Sequence, residues 1–316
     1  MKREEKAIFD VFGDGFDRFA FPANICRVTA GHGGEALLIA GSEKSALLDC
    51  GMAYCGRKMV DNLREALDNY GMKTLDYVLL SHSHYDHIGA LPYIRQAFPD
   101  AAVCGSRKCC DILARTGARK LMKELGTAAR DLYAPDSTEE IPVDDLNVDI
   151  VLNDGDEIYL GNEKIKVLET RGHTDCSLSF ALEPARLLFT SESTGILEAI
   201  DYVHTPILKS CRDALESLQK CMDYNAEYIC IAHFGMLPQY FNDIYWRKFR
   251  EEYESKYDFI GRMDSDGLSE EEMLKKYVDR YWTPAKEKEQ PREAYEINSA
   301  AIIKAFLREI RSSQII

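Results

Sequence analysis

The segment Ser81-His82-Ser83-His84-Tyr85-Asp86-His87 constrains this chain more than any other. It packs three of the seven histidines and a carboxylate into six positions, directly after Tyr77-Val78-Leu79-Leu80, an apolar run that reads as a β-strand. A chance H-x-H-x-D-H in a chain of this composition has odds on the order of 10⁻⁴. Imidazole nitrogens and carboxylate oxygens suit zinc, iron and manganese, and a turn leaving a strand can aim alternate side chains at two adjacent ions.

The surroundings alternate short apolar runs with helical stripes. Residues 36–40 and 45–49 read as strands joined by Gly41-Ser42-Glu43-Lys44, and Met59, Val60, Leu63 and Leu67 mark a helix closed by Gly71. Residues 106–125 carry a helical pattern. The acidic, weakly periodic residues 126–150 complete a lid-like insertion over about 106–150. Gly161-Asn162 sits between two strand-like runs as a hairpin turn. Residues 187–190 and 228–232 read as further strands, with a helical stretch at 208–223 between them. After Pro238 the strands stop. Tyr245, Phe249 and Tyr253 recur every four residues as a face that docks on the preceding part; Ser269-x-x-Glu272 is a capping box; Ile303, Phe306, Leu307 and Ile310 form a helical stripe.

Lys and Arg total 39 against 53 Asp and Glu, a formal charge of −14, which argues against a surface built to neutralise nucleic-acid phosphates. No run approaches the roughly 20 apolar residues of a membrane span, and the charged first residues do not read as an export signal. The ten cysteines are scattered without a Cys-x-x-Cys pair, as expected of reduced thiols in a cytoplasmic protein. Cys50 and Cys176 are read as packing residues, and His32 as a surface or core histidine outside the site.

The histidine-rich segment resembles the metal-binding motif of the metallo-β-lactamase-fold superfamily, and other landmarks follow in order. Thr170-Arg171-Gly172-His173-Thr174 resembles the Gly-His-Thr/Ser segment, Leu188-Phe189-Thr190-Ser191-Glu192 the strand that normally ends in Gly-Asp, and Ile231-Ala232-His233-Phe234-Gly235 the last ligand strand. Leu48-Asp49-Cys50-Gly51 occupies the place of the early Asp-x-Gly turn. The resemblance covers roughly residues 20–240. It implies an α/β fold, a four-layer αββα sandwich over 1–238, with 239–316 as a C-terminal helical cap on the same unit.

Carried over by position, the resemblance implies two divalent ions, zinc first with iron or manganese as alternatives. His82, His84 and His173 would hold one and Asp86, His87 and His233 the other, with residue 192 bridging. The family usually has Asp there after Gly, whereas this chain has Glu192 after Ser191. The extra methylene lengthens the reach, so Glu192 could bridge, bind one ion only, or displace the nucleophilic water. The implied activity is hydrolysis of a small ester, thioester or phosphoester by a metal-bound hydroxide, with Asp86 orienting the nucleophile or moving its proton. The layout resembles glyoxalase-II-like and thioesterase-like members. His204, in a polar loop after the bridging strand, is a candidate substrate contact. The competing expectation is a metal-binding sensor or regulatory interaction protein with little turnover, using the helical tail for a partner. The aromatic helices could also serve a homodimer.

Overall fold

Alternation along short, wholly apolar strands decides how this chain layers. The computed structural model describes residues 11–13, 16–284 and 286–313. The first sheet is built from β1 (Ile25–Arg27), β2 (Leu37–Ala40), β3 (Ser45–Leu48), β4 (Tyr77–Leu79), β5 (Ala102–Ser106) and β6 (Ile150–Leu152), which lie side by side in sequence order. β1, β2 and β3 run antiparallel; from β3 to β6 the neighbours are parallel. Parallel pairing needs a crossover, supplied by α1 (Gly56–Asn69) before β4, by α2 (Tyr85–Ile88) and α3 (Leu91–Ala97) before β5, and by α4 (Arg107–Leu113) and α5 (Thr116–Tyr133) before β6.

The second sheet contains β7 (Glu157–Tyr159), β8 (Lys164–Glu169), β9 (Leu178–Glu183), β10 (Leu187–Thr190), β13 (Tyr228–Ile231) and β14 (Gly235–Met236), in the spatial order β14-β13-β10-β9-β8-β7. Its one parallel pair, β10 with β13, is bridged by the separate hairpin β11 (Ile196–Ala199) and β12 (Tyr202–His204) and by α6 (Cys211–Asp223).

Successive side chains of a strand point to opposite faces, and here both faces are covered. Leu37, Ile39, Leu48 and Leu79 meet Val167, Phe180, Leu187 and Phe189 between the sheets. Leu38, Leu47 and Val78 turn outward onto Met59, Leu63 and Ile94 of the helices. Ala181, Leu188, Ile229 and Ile231 face Ala214 and Leu218 of α6 on the other side. The result is helix, sheet, sheet, helix.

The C-terminal part is helical, as the loss of strand patterns predicts: α7 (Asn242–Ser265), α8 (Glu270–Tyr281), α9 (Lys286–Glu289) and α10 (Arg292–Ser313). Ser269 Oγ accepts the Glu272 amide at 3.3 Å and Glu272 Oε2 accepts the Ser269 amide at 2.8 Å, the expected capping box. Tyr245, Phe249, Tyr277 and Phe306 are buried in one cluster with the outer face of the second sheet. Among the described residues no helix is long and apolar enough to cross a membrane.

Residues 106–150, expected to form a lid-like insertion, hold the helices that connect β5 to β6. The helical pattern over 106–125 is two helices, and α5 continues to Tyr133 into the stretch read as weakly periodic. The residues that continue its buried stripe are Gly126 and Ala129, too small to register as apolar periodicity. A Cβ at Gly126 would lie 2.9 Å from the Ile141 side chain, so small residues there let the following loop close onto the helix. β9 has no clear signature in the sequence, because Ser179 interrupts its apolar run while lying fully buried.

Truncation of Phe306 to Ala should lower unfolding stability by about 3–5 kcal/mol, the cost of emptying a large core site. Urea unfolding should show one transition for sandwich and helices together; a separate early transition of the helices would show that they form their own unit.

Candidate metal centre

The site begins where β3 and β4 end. These strands are parallel neighbours, so Asp49, just past β3, and Ser81, just past β4, emerge side by side. Asp49 adopts φ 52° and is fully buried. It accepts hydrogen bonds from the Ser81 amide at 2.7 Å, Ser81 Oγ at 2.6 Å and His87 Nδ1 at 2.9 Å. The last bond places the His87 proton on Nδ1 and turns the Nε2 lone pair outward. His173 is fixed the same way, its Nδ1 donating to the Pro206 carbonyl at 2.6 Å. Gly172 before it adopts φ 132° and has no room for a side chain, since a Cβ would lie 2.5 Å from Ala214 Cα.

Glu192 follows β10 on a short turn and is 5% exposed. The serine before it is bound into the sheet. Ser191 donates its amide to Ser179 Oγ at 2.9 Å, its hydroxyl lies 2.9 Å from Thr170 Oγ1, and it caps the turn by accepting from the Ser193 amide. His233 follows β13, the parallel neighbour of β10, so these two side chains also emerge together.

Two groups of ligand-type atoms result, His82, His84, His173 and Glu192, and Asp86, His87, Glu192 and His233, the atoms of each lying within 4.8 Å of one another. In the first, Glu192 Oε1 lies 3.4 Å from His82 Nε2 and Oε2 lies 3.5 Å from His173 Nε2, while His84 Nδ1 is 3.1 Å from His173 Nε2. In the second, Glu192 Oε1 lies 2.9 Å from His87 Nε2 and 3.2 Å from His233 Nε2, and Asp86 Oδ2 is 3.7 and 3.5 Å from the same two nitrogens. Donor atoms about 2.1 Å from a tetrahedral ion stand about 3.4 Å apart. The observed spacings cluster around that edge length.

The polar bookkeeping also favours cations. His82 Nε2 is buried and makes no hydrogen bond. His87 Nε2 faces the Glu192 carboxylate with its own proton held by Asp49 on the other nitrogen, an acceptor against an acceptor unless a proton or a metal ion lies between. Burial and the neighbouring rings push His82 down, and they push His84 down to about 4, so both are neutral imidazoles, the ligating form. Burial opposes ionisation of Glu192, but His173 and His233 outweigh it and hold the carboxyl well below the usual range. Burial likewise opposes protonation of His87, yet Asp86, Asp49 and Glu192 raise it well above an ordinary histidine. Metal ions would satisfy all of these at once.

Every residue singled out as a ligand therefore arrives in one place. His204 does not lie in a polar loop but ends β12, buried, with Nδ1 3.1 Å from Lys256 Nζ. His32 is exposed, stacked on Tyr133 at 4.3 Å between centroids. Two further contributors carry little signal in the sequence. Asp49, recognised only as a turn residue, anchors His87 and Ser81. Gly34 lies so close to His87 that a Cβ there would be 2.4 Å from Nδ1, and its amide donates to the Asp86 carbonyl at 2.9 Å. The Gly-rich stretch 31–34 was the available signal. The segment between β5 and β6 lies close as well: Ala129 and Ile141 pack with Met52, Ala53 and Tyr54, against which Tyr85 and Tyr133 also lie.

The metallo-beta-lactamase superfamily model matches residues 30–233, and the chain belongs to that superfamily. A metallo-beta-lactamase fold-containing protein of Sulfurisphaera tokodaii is 25% identical over 189 residues, 58% of this chain and 71% of its own length. A coenzyme F420H(2) oxidase of Methanothermobacter marburgensis is 25% identical over 51% of this chain, and a hydroxyacylglutathione hydrolase of Nitrobacter hamburgensis 28% identical over 41%. The matches span 34% and 37% of those two proteins. The solved structure of a metallo-beta-lactamase family protein from Thermus thermophilus superposes with a TM-score of 0.64 over 93% of this chain and 95% of that one, at 17% identity.

Asp49→Asn should weaken metal affinity about 10- to 100-fold, the usual cost of losing a carboxylate that orients a ligating histidine. Competition with a coloured chelator measures it; unchanged affinity would show that Asp49 serves the fold alone.

Proposed function

We propose that this chain is a cytoplasmic metal-dependent hydrolase of a small ester, thioester or phosphoester. In this reading His82, His84 and His173 hold one divalent ion, Asp86, His87 and His233 hold a second, and Glu192 bridges them. The observation that carries the reading is the single buried carboxylate shared by two groups of ligand atoms. Zinc is the first expectation, with iron and manganese compatible with the same donors. The ten cysteines are all free, which supports a reducing compartment.

Two divalent ions there would supply Lewis acidity for a scissile carbonyl or phosphoryl oxygen and would acidify a water towards neutrality. The chain's own residues divide the remaining work. Asp49 and the Pro206 carbonyl hold His87 and His173 with their Nε2 lone pairs facing inward. Glu192, 5% exposed, is shielded from solvent. Asp86 keeps 17% of its side chain open, so it is the carboxylate able to reach a water and take its proton. His204, paired across the hairpin with Ile196 four residues beyond Glu192, is read as a substrate contact.

The relative named as a hydroxyacylglutathione hydrolase supports hydrolysis of a thioester-type substrate. Both matches are partial, spanning 34% of the relative named as an oxidase and 37% of the one named as a hydrolase, so the reading rests on the ligand cluster first. A panel of thioesters, carboxylic esters and phosphodiesters, assayed with the zinc, manganese and iron forms, tests the reading. Turnover should appear with at least one class and fall by about a thousandfold or more in His84→Ala. Tight metal binding with no turnover of any class would contradict the enzyme reading and leave a metal-binding sensor.

A further inference from the structure

Lys256 is an ammonium with no solvent exposure, an expensive group to bury. Burial pulls it down to about 8, against the opposing pull of Glu252 and Glu198, so it remains charged at neutral pH. Its Nζ donates to Thr205 Oγ1 at 3.0 Å, to the Thr205 carbonyl at 3.2 Å and to His204 Nδ1 at 3.1 Å, and lies 3.4 Å from Glu252 Oε1. A methionine would fill this space without the desolvation cost. What the lysine adds is donors, and these converge on residues 204 and 205.

An ammonium has three N–H groups and no lone pair. The nitrogen of His204 that faces it must therefore accept, and the ring proton sits on the opposite edge, on Nε2. Burial together with Lys256 and Lys286 holds this ring neutral. The placement ties it to the metal centre. His204 pairs with Ile196 across the β11–β12 hairpin, four residues beyond Glu192. Two residues further on, Pro206 accepts the His173 proton, and the charges of Glu192 and His173 reach the His204 ring.

We propose that Lys256 is a positioning residue that fixes His204 as an Nε2–H donor, and that this donor receives an anionic oxygen, carboxylate or phosphate, of the molecule bound at the metal centre. The recipient assignment rests on the hydrolase reading above; the tautomer does not. With its Nδ1 lone pair engaged by Lys256 and its Nε2 protonated, His204 does not serve as a general base. Lys256, which donates directly to His204 while its carboxylate partner Glu252 stands farther off at 3.4 Å, polarises the ring so that its Nε2–H favours a negatively charged acceptor over a neutral one.

Nitrogen-resolved NMR of the full chain with labelled histidine tests this, with and without bound metal. In both forms His204 should carry its proton on Nε2, and in Lys256→Met that preference should be lost. Inorganic phosphate and acetate, added separately to the metal-loaded protein, distinguish the two acceptors; at least one should shift the His204 Nε2–H resonance. The affinity for that anion should fall about 10- to 100-fold in Lys256→Met, as for a lost charge-assisted contact, with metal content unchanged and partial recovery in Lys256→Arg. A proton on Nδ1, a cationic ring, or no response to either anion would overturn the proposal. A chain that binds no metal but shows the Nε2–H tautomer would instead overturn the hydrolase reading and leave the role of Lys256 standing.

Discussion

A carboxylate buried against four imidazole rings sets the terms for the rest of this molecule. Glu192 has His82, His87, His173 and His233 within 3.5 Å, and it is almost without solvent. A buried charge costs several kcal/mol unless it is paired, and a neutral imidazole turned lone pair first towards a carboxylate adds to the cost. Cations among these atoms remove both penalties. The arrangement is thus one that metal would stabilise, and acid would oppose metal binding there, because protons compete for the same nitrogens.

The two-sheet architecture is what brings such distant residues to one carboxylate. β3 and β4 in one sheet, and β10 and β13 in the other, are parallel pairs. Asp49, the 82–87 segment, Glu192 and His233 leave the ends of these strands on a common edge. Parallel neighbours emit their following loops at the same end, so each sheet delivers polar residues there while its strands remain apolar. His173 comes from the turn after β8 and is tied to the hairpin segment through Pro206. The C-terminal helices then close on the second sheet and bring Lys256 against His204.

Much of this was legible because the chemistry is local. The spacing of His82, His84, Asp86 and His87 names the segment by itself, and ordered matches around His173, Glu192 and His233 supply the rest. Strands with uninterrupted apolar runs, such as 187–190 and 228–231, were equally plain. What escaped depends on contacts between remote segments. Ser179 in β9 is hydrogen-bonded to Ser191, which no local polarity scale reveals. Gly126 and Ala129 are buried because a loop folds over them, and Asp49 acts on a histidine 38 residues away. Ser191 likewise acquires its reason only in three dimensions, where its hydroxyl meets Thr170. The longer side chain of Glu192 brings Oε1 within 3.4 Å of nitrogens of both groups, while Oε2 faces His173 of the first.

The central claim is that one carboxylate joins two metal sites, and anomalous X-ray diffraction from crystals of the metal-loaded protein tests it most directly. The account predicts two peaks per chain, one among His82, His84 and His173 and one among Asp86, His87 and His233, with Glu192 contacting both. A single peak, or two peaks with Glu192 bound to neither, would contradict it.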